Sequence, residues 1–402
     1  MTDPARTVRK LLTIRFIRSI GQGALAVDFT LYLRALGWSA PAISEVLSGA
    51  LALGVVLTLI AGPLSDRGGR RRFLFVYEFA QWLAGLAAAF SAAPAMLWAA
   101  AIVGGFGRGG NGAAGPFSPV EQAWMAQALT PSQRGPVYSL NAALGFLGNA
   151  AGAVIAILPS LLRGALPGAL AYRPLFLLWA FGSLACCVLI VRTPDFEAAP
   201  APSEPPTPRE DRQENRLVLR LMVANVMNGI GVGATGPLIA YWFAVRFGEG
   251  PAEIGPLMAA GFLMAAAASL GAGVLSRWLG VVRAVVAMRL VGLVLLVALP
   301  FAPSFGLAAV LYVLRGMFNR GTTGARTALN VSLVRARRRG FASSMGNVSM
   351  QVPRAVSPMI TGVLFAAGEL ALPFLIGAAF QGAYLALYYW GFRRVDPGVG
   401  ER

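Results

Sequence analysis

Residues 62–71 read GPLSDRGGRR, a short charged loop between two long apolar stretches, 43–63 and 73–92. Gly62 allows two helices to approach each other closely, and Gly69 permits the tight turn that a helical hairpin needs. The loop is therefore predicted to join two antiparallel membrane helices. The remainder of the chain follows the same pattern of apolar stretches and short connections.

The composition indicates a membrane protein. Of the 402 residues, 56% are hydrophobic and 13% are charged, whereas a soluble globular domain carries about 25% charged residues. The chain has no histidine, and its two cysteines, Cys186 and Cys187, are adjacent within an apolar run. We therefore expect no imidazole relay, no disulfide framework, no bound metal or other cofactor, and no enzymatic activity.

Twelve apolar stretches are long enough to span a bilayer, which takes about 20 residues. The predicted spans are 12–34, 43–63, 73–92, 95–117, 136–161, 173–192, 217–245, 254–275, 284–301, 304–328, 341–366 and 371–392. A Pro-rich, charged segment follows the sixth span. We predict an all-α membrane protein with a six-helix bundle in 1–192, a cytoplasmic linker in 193–216 and a second six-helix bundle in 217–402.

The basic residues are distributed unevenly across the predicted membrane. Most of the 34 lysines and arginines lie beside the loops on the side of Met1, and the loops of the other side hold Arg34, Arg163, Arg173 and Arg246. Because cytoplasmic loops are enriched in basic residues, both termini are predicted to be cytoplasmic. The same bias accounts for the net charge of +17 without a nucleic-acid partner. We expect a monomer in the inner membrane of a bacterium.

The two halves also resemble each other in sequence. Gly62–Asp66 aligns with Gly273–Arg277 at an offset of 211 residues, and Arg108–Gly112 aligns with Arg320–Gly324 at an offset of 212. Two six-helix bundles related by an axis along the membrane normal, with a binding site between them, form a transporter architecture.

With these motifs, the chain resembles the major facilitator superfamily over its whole length, and most of all its twelve-helix drug:proton antiporters. The loop at 62–71 matches the family pattern G-x-x-x-D-R-x-G-R-R. The resemblance implies a charged latch on the cytoplasmic side, in which Glu121 pairs with Arg70. The latch residues are Gly62, Asp66, Arg67, Gly69, Arg70 and Glu121.

Two further motifs bear on coupling. Arg108-x-x-Asn111-Gly112 is similar to the R-x-x-Q-G pattern of proton-coupled members, which implies a role for Arg108 in proton transfer. The alternative is a structural arginine bonded to backbone carbonyls. In the fifth span, Asn149 stands where the antiporter motif has proline. The antiporter signature holds only in part, although its small residues still favour close helix packing.

Asp28 is an isolated acid in the apolar run ALAVDFTLYL, residues 24–33. First helices line the central cavity in this family, so the resemblance implies that the helical stripe carrying Asp28 faces that cavity. We expect Asp28 to carry the coupling proton, with Arg108 modulating it. The alternative is a structural aspartate, and in either case we expect an arginine of another helix as its partner. The stripe comprises Arg18, Gly21, Leu25, Asp28 and Tyr32.

Arginines lie deep in the predicted second half, whereas the deep acids, Asp28, Glu78 and Glu121, belong to the first. The arginines either pair with those acids or bind an anionic or zwitterionic substrate group. Glu78 is expected to join the basic cluster at 67–72. The predicted substrate cavity is lined by Tyr32, Asn111, Asn149, Asn225, Asn228, Thr235, Tyr241, Arg320, Gln351 and Arg354.

The resulting hypothesis is a proton-coupled secondary transporter that exports small amphiphilic molecules by alternating access. The alternative is a transporter of an anionic or zwitterionic metabolite or lipid-like substrate, held by Arg320 or Arg354. A transport-inactive receptor is disfavoured, because the chain has no large loop or soluble domain through which to signal.

Overall fold

The computed structural model describes residues 4–108, 117–193, 208–323, 326, 329 and 339–393. Within these ranges, the side chains at 4, 62–63, 66–68, 119, 131–132, 134–135, 208–211, 213, 269–279 and 339–344 are left undescribed. The predicted latch residues Gly62, Asp66 and Arg67 and the predicted cavity residue Asn111 therefore lie outside the described side chains.

The first half consists of α1 (Pro4–Ala35), α2 (Ala40–Gly68), α3 (Arg70–Phe90), α4 (Pro94–Gly104), α5 (Phe117–Gln127), α6 (Pro131–Ile155), α7 (Leu158–Leu162) and α8 (Arg173–Val191). The second half consists of α9 (Pro208–Gly233), α10 (Ile239–Phe247), α11 (Pro251–Leu279), α12 (Val281–Ala298), α13 (Phe305–Gly321), α14 (Arg339–Ala366) and α15 (Leu372–Phe392). Short 3₁₀ turns occur at Gly168–Tyr172 and Leu299–Phe301. The predicted all-helical fold of two six-helix bundles is confirmed.

Two predicted spans are interrupted rather than continuous. The fourth stops at Gly104, because Gly105 adopts a left-handed conformation with φ of 65° that ends the helix. The seventh stops at Gly233 and resumes at Ile239, across a segment that contains Pro237. Proline has no backbone N–H to donate to a helix, which accounts for the break.

The break in the seventh span distinguishes the two halves. Aligning Tyr32 with Tyr241 in the internal repeat places Asp28 opposite Pro237. Asp28 lies in the unbroken helix α1, whereas Pro237 lies between α9 and α10. The two positions are therefore equivalent in sequence but differ in backbone conformation.

Glycines bring α1 and α6 into backbone contact, as the small residues of the fifth span predict. A Cβ on Gly152 would lie 1.9 Å from the Ile20 carbonyl oxygen, and one on Gly23 would lie 2.1 Å from the Asn149 carbonyl oxygen. The second half repeats this contact between α9 and α14, where a Cβ on Gly229 would lie 2.2 Å from the Met350 carbonyl oxygen. No larger side chain fits at these crossings.

The two halves join on one side of the membrane. We call the side where α1 begins and α15 ends the terminal face, and the other side the opposite face. Near the opposite face, a Cβ on Gly362 of α14 would lie 2.0 Å from the Ser44 hydroxyl oxygen of α2. A Cβ on Gly255 of α11 would lie 2.7 Å from the Ala153 carbonyl oxygen of α6.

The apolar packing follows the same division. One buried cluster extends through both halves near the opposite face and includes Ile43 of α2, Trp242 of α10 and Phe365 of α14. Near the terminal face, the described residues form two separate clusters, one around Trp124 in the first half and one around Tyr384 in the second. Among the described residues, the apolar packing is thus continuous between the halves near the opposite face and separate in each half near the terminal face.

The glycine contacts predict a specific packing defect. Gly152→Ala places a methyl group against the α1 backbone and is expected to destabilise the protein by about 1–3 kcal/mol, a typical cost of overpacking. The matched control is Gly182→Ala in α8, where the nearest atoms are 3.7 Å away. The control should leave thermal unfolding in detergent unchanged or slightly raised, since alanine favours helix over glycine. Equal unfolding temperatures for the two variants would contradict this account.

Candidate functional site

Arg354 lies within range of the charges of two other arginines, one from each half. Arg354 of α14 is 4% exposed, and the charged groups that act on it are Arg320 of α13 and Arg108, which follows α4. The Nε of Arg354 is buried and has no hydrogen-bond partner among the described residues. We call Arg108, Arg320 and Arg354 the arginine cluster.

Neutral groups contact Arg108 and Arg320 of the arginine cluster. Arg108 donates from Nε to the Gly105 carbonyl oxygen at 3.2 Å and from Nη2 to the Gly104 carbonyl oxygen at 3.3 Å. Arg320 donates from Nη2 to the Tyr312 hydroxyl at 3.4 Å, and its guanidinium lies 4.9 Å from the centre of the Phe262 ring. Carbonyl dipoles, a hydroxyl and a ring hold these side chains in place, but none of them carries a full negative charge.

Among the described residues, no acid acts on the buried arginines Arg289, Arg315 and Arg354 of the second half, although α9 carries the buried Glu214 near the terminal face. Between Asn215 and Asp396, the acidic residues are Glu249, Glu253 and Glu369. Glu249 lies between α10 and α11, Glu253 lies in the first turn of α11, and Glu369 lies between α14 and α15, all at the opposite face. The arginines of the second-half interior are Arg289, Arg315, Arg320, Arg326 and Arg354.

Four deep charges of the first half lie beside one another. The Arg18 Nη1 lies 3.7 Å from the Glu78 Oε1, and both side chains are buried. The Arg18 guanidinium also lies 3.8 Å from the centre of the Phe117 ring. Glu121 is fully buried, and its charged neighbours are Arg18 and Arg15. The four side chains form one buried group of balanced charge.

Two expected pairings are wrong. Glu78 was expected beside the basic cluster at 67–72 but contacts Arg18. Glu121 was expected to pair with Arg70, yet neither carboxylate oxygen of Glu121 accepts a hydrogen bond from a described residue, and Arg70 donates to the Ala123 carbonyl oxygen at 3.1 Å. Because Arg15 and Arg18 of α1 lie inside the bundle, the buried acids interact with them instead of with the loop arginines.

The loop that suggested the latch has the expected backbone. Gly69 has φ of 85° and separates α2 from α3, so only glycine adopts this turn readily. The latch itself stays a prediction, because the side chains of Asp66 and Arg67 are not among those described.

The Asp28 stripe faces the interior of the first half, not the space between the halves. A Cβ on Gly21 would lie 3.1 Å from the Trp179 ring of α8, and the Tyr32 ring centre lies 5.0 Å from that of Phe176. Tyr32, which was expected to line the cavity, is therefore packed against α8. The stripe turns inward because the opposite side of α1 is occupied by α6.

Asp28 is buried without a described partner. Its side chain is 1% exposed, and neither carboxylate oxygen has a hydrogen-bond partner among the described residues. The expected arginine partner is not found there, and Arg108 is not among the groups that act on this carboxylate. Its hydroxyl-bearing neighbour is Tyr172, which lies close enough to be affected by the Asp28 charge.

Three predicted cavity residues contact other residues of the second half. Asn225 donates to the Gly346 carbonyl oxygen at 3.1 Å, and Thr235 Oγ1 accepts from Arg315 at 3.5 Å. The Tyr241 ring stacks on Phe365 at 6.1 Å.

The remaining two predicted cavity amides differ in exposure. Gln351 of α14 is half-buried, whereas Asn149 of α6 is 1% exposed and its amide atoms have no hydrogen-bond partner among the described residues.

The predicted cavity residue Asn228 contacts a buried arginine, Arg289, that the sequence reasoning did not assign to a site. Arg289 of α12 is 5% exposed and donates to the Asn228 Oδ1 at 2.7 Å, and its guanidinium lies 4.8 Å from the centre of the Tyr384 ring. The internal repeat carried the signal, since Glu78 aligns with Arg289 at the offset of 211 residues. An acid in one half and an arginine at the equivalent position of the other mark a functional difference between the halves.

Comparison with known proteins agrees with this architecture. The family model described as Major Facilitator Superfamily matches residues 11–220 and again residues 221–401. An uncharacterized membrane protein of Saccharomyces cerevisiae is 24% identical over 411 residues, covering 93% of this chain and 91% of the yeast protein.

Two solved structures share the fold. A bacterial homologue of the human lysosomal transporter Spinster, in an inward-facing and occupied conformation, is 14% identical with a TM-score of 0.72 and 97% coverage of both chains. A mutant of the nucleoside transporter NupG is 12% identical with a TM-score of 0.75, covering 96% of this chain and all of the other.

The buried charges of the first half predict a coupling between two substitutions. Glu78→Gln leaves Arg18 buried without its ion pair and is expected to cost about 3–5 kcal/mol of stability, as breaking a buried pair does. Adding Arg18→Gln removes the stranded cation, so the double variant should be more stable than Glu78→Gln alone. Thermal unfolding in detergent measures both, with Glu45→Gln on the exposed side of α2 as the control. Additive losses would show that the two side chains do not interact.

Proposed function

Since the chain belongs to the major facilitator superfamily, we propose that this transporter carries an organic anion between its two halves by alternating access. The observation that carries the proposal is the arginine cluster, which combines Arg108 of the first half with Arg320 and Arg354 of the second. A substrate bound there contacts both halves, as alternating access requires.

Charge balance supports an anionic substrate. An arginine at the centre of a bilayer costs about 2.5–3.5 kcal/mol on insertion scales, so unpaired arginines are expected to face a cavity or an anion. The deep acids Glu78 and Glu121 are already matched by Arg18 and Arg15. A carboxylate, sulfonate or phosphate group on the substrate supplies the missing charge through charge-assisted hydrogen bonds.

The packing between the halves at the opposite face supports an assignment of the conformational state and of the orientation in the membrane. The terminal face carries most of the basic residues, so we assign it to the cytoplasm, as the bias of charged loops favours. The described packing, joined at the opposite face and divided at the terminal face, then corresponds to an inward-facing state. The assignment to a bacterial inner membrane and to a monomer belongs to the same proposal.

Export of amphiphilic drugs has less support. Asn149 departs from the antiporter motif, and an organic cation placed beside Arg108, Arg320 and Arg354 experiences like-charge repulsion. We therefore favour the alternative of an anionic or zwitterionic substrate over multidrug efflux. Whether the anion leaves or enters the cell depends on the coupling, which we assign to Asp28.

Asp28 is the proposed site of the coupling proton. A carboxylate that is 1% exposed, with no described partner, is most stable in its neutral form because burial disfavours the charge. Protonation and deprotonation of Asp28 therefore require a change in its surroundings, such as the opening of the opposite face. Proton binding at Asp28 is thereby linked to the conformational cycle, although Asp28 does not contact the arginine cluster.

Removal of one arginine tests the substrate class. Arg354→Gln is expected to weaken the binding of organic anions about tenfold to a hundredfold, since a hydrogen bond to a charged group contributes about 1.5–3 kcal/mol. Thermal-shift titrations of the purified protein with aromatic carboxylates, dicarboxylates and phosphate monoesters provide the measurement. Arg283→Gln, an exposed arginine of α12, is the control and should leave binding unchanged.

Quaternary ammonium compounds of the same size as these anions are titrated in the same thermal-shift assay. If these cations stabilise the wild-type protein and none of the anions does, the transporter is not an anion carrier. An equal response of Arg354→Gln and wild type to a stabilising anion excludes Arg354 from the site.

Replacement of Asp28 tests proton coupling. Asp28→Asn keeps the shape of the side chain but cannot release a proton, so accumulation of the anion driven by a pH gradient in proteoliposomes should be lost. Binding of the same anion should change by less than about threefold, because Asp28 lies outside the arginine cluster. Glu45→Gln serves as the control, and accumulation that persists in Asp28→Asn rules out Asp28 as the proton carrier.

A further inference from the structure

A second group of cationic and hydroxyl side chains lies wholly within the second half. Arg289 belongs to α12, Asn228 to α9 and Tyr384 to α15, and Arg326 follows α13. We infer that these four residues form a binding site for a small monovalent inorganic anion, and we call it the Arg289 site. The proposed transport function assigns no role to it.

Contacts within the site place two guanidinium groups around one aromatic ring. Arg289 Nη1 donates to the Asn228 Oδ1 at 2.7 Å, and its guanidinium lies 4.8 Å from the centre of the Tyr384 ring. The Arg326 guanidinium lies 5.7 Å from the centre of the same ring, and its Nη2 lies 3.9 Å from the Met350 sulfur. The two arginines are close enough for each charge to act on the other.

These contacts do not balance the charge. An amide oxygen, a thioether sulfur and an aromatic ring bear only partial negative charge, whereas two neighbouring guanidinium groups repel each other in a medium of low dielectric constant. The nearest acid along these helices toward the terminal face is the buried Glu214 of α9, and no acid is among the charged groups that act on Arg289. The Arg289 site lies toward the terminal face, in the Tyr384 cluster.

In the first half, the position equivalent to Arg289 carries an acid, and that acid is paired with an arginine of the chain. Glu78 occupies the position equivalent to Arg289 and lies 3.7 Å from Arg18. The second half has an arginine in place of that acid and adds Arg326. Since no acid of the described residues acts on Arg289, a bound anion is the counter-charge that the site calls for.

Two unused donors define the chemistry of that species. The Arg289 Nε and the Tyr384 hydroxyl are both buried and have no hydrogen-bond partner among the described residues. Arg289 is 5% exposed, and Tyr384 is fully buried. An N–H and an O–H donor beside two positive charges favour an anion over a cation or a neutral molecule, and the tight burial favours one of few atoms.

The site is separate from the arginine cluster. Its helices α9, α12 and α15 all belong to the second half, whereas the arginine cluster includes Arg108 of the first. An anion bound at the Arg289 site therefore accompanies the second half through the conformational cycle and stabilises it. It is distinct from an organic substrate that bridges the halves.

Chloride is the probe for the experiment. Purified wild-type protein and Arg354→Gln in detergent are each transferred from sodium gluconate to sodium chloride at constant ionic strength, because gluconate is itself an organic carboxylate, and the unfolding temperature is recorded at each chloride concentration. The wild-type protein should show a saturable rise of several degrees. Tyr384→Phe, which removes only the hydroxyl, should raise the half-saturating concentration about tenfold, and Arg289→Gln should abolish the response.

A carboxylate built into the chain provides the decisive variant. Asn228→Asp places a negative charge where the Asn228 Oδ1 already accepts from Arg289. This variant should unfold at a higher temperature than wild type in gluconate and should no longer respond to chloride. If Arg289→Gln fails to fold, Asn228→Asp still tests the Arg289 site.

Two controls separate this site from other effects. Arg283→Gln, an exposed arginine of the same helix, should retain the full chloride response. Arg354→Gln should also retain it, even though that variant tests the proposed substrate site. A wild-type protein with no saturable chloride response, or an Asn228→Asp variant with the wild-type response, overturns the Arg289 site and leaves the anion-transport proposal standing.

Discussion

The cost of holding a charge inside a membrane is the constraint on which the rest of this structure depends. Each deep arginine must find an acid, a polar partner or water, because the lipid provides none of these. Four deep charges of the first half meet the constraint among themselves, with Arg18 beside Glu78 and Arg15 near Glu121. In the second half, no acid of the described residues acts on the buried arginines Arg289, Arg315 and Arg354. This asymmetry points to anions as ligands and assigns them to the second half and to its boundary with the first.

Close helix packing determines where the charges lie relative to one another. Glycines join α1 to α6 within the first half, and Gly362 and Gly255 join the halves near the opposite face. These contacts leave no space for side chains at the crossings, so polar groups are displaced toward the bundle interiors and the terminal face. The arginine cluster is formed where the two halves, joined at one end, diverge toward the other.

The fold by itself does not define the substrate. The structural relatives include a bacterial homologue of a lysosomal transporter and a nucleoside transporter, at 14% and 12% identity. Such distant likeness establishes the architecture, and the same architecture serves many chemistries. An anionic ligand is favoured instead by the particular arginines of this chain, since no acid of the described residues acts on Arg289 or Arg354.

The sequence by itself determined the all-helical membrane fold, the division into two halves and the excess of deep arginines, because these depend on hydropathy, length and composition. It also placed Gly69 at the turn between α2 and α3. Only the tertiary structure decided that Glu78 meets Arg18, that Arg70 does not meet Glu121, and that the Asp28 stripe faces α8. Helical periodicity defines which residues share a face, but the neighbour of that face is set by packing between segments far apart in the chain.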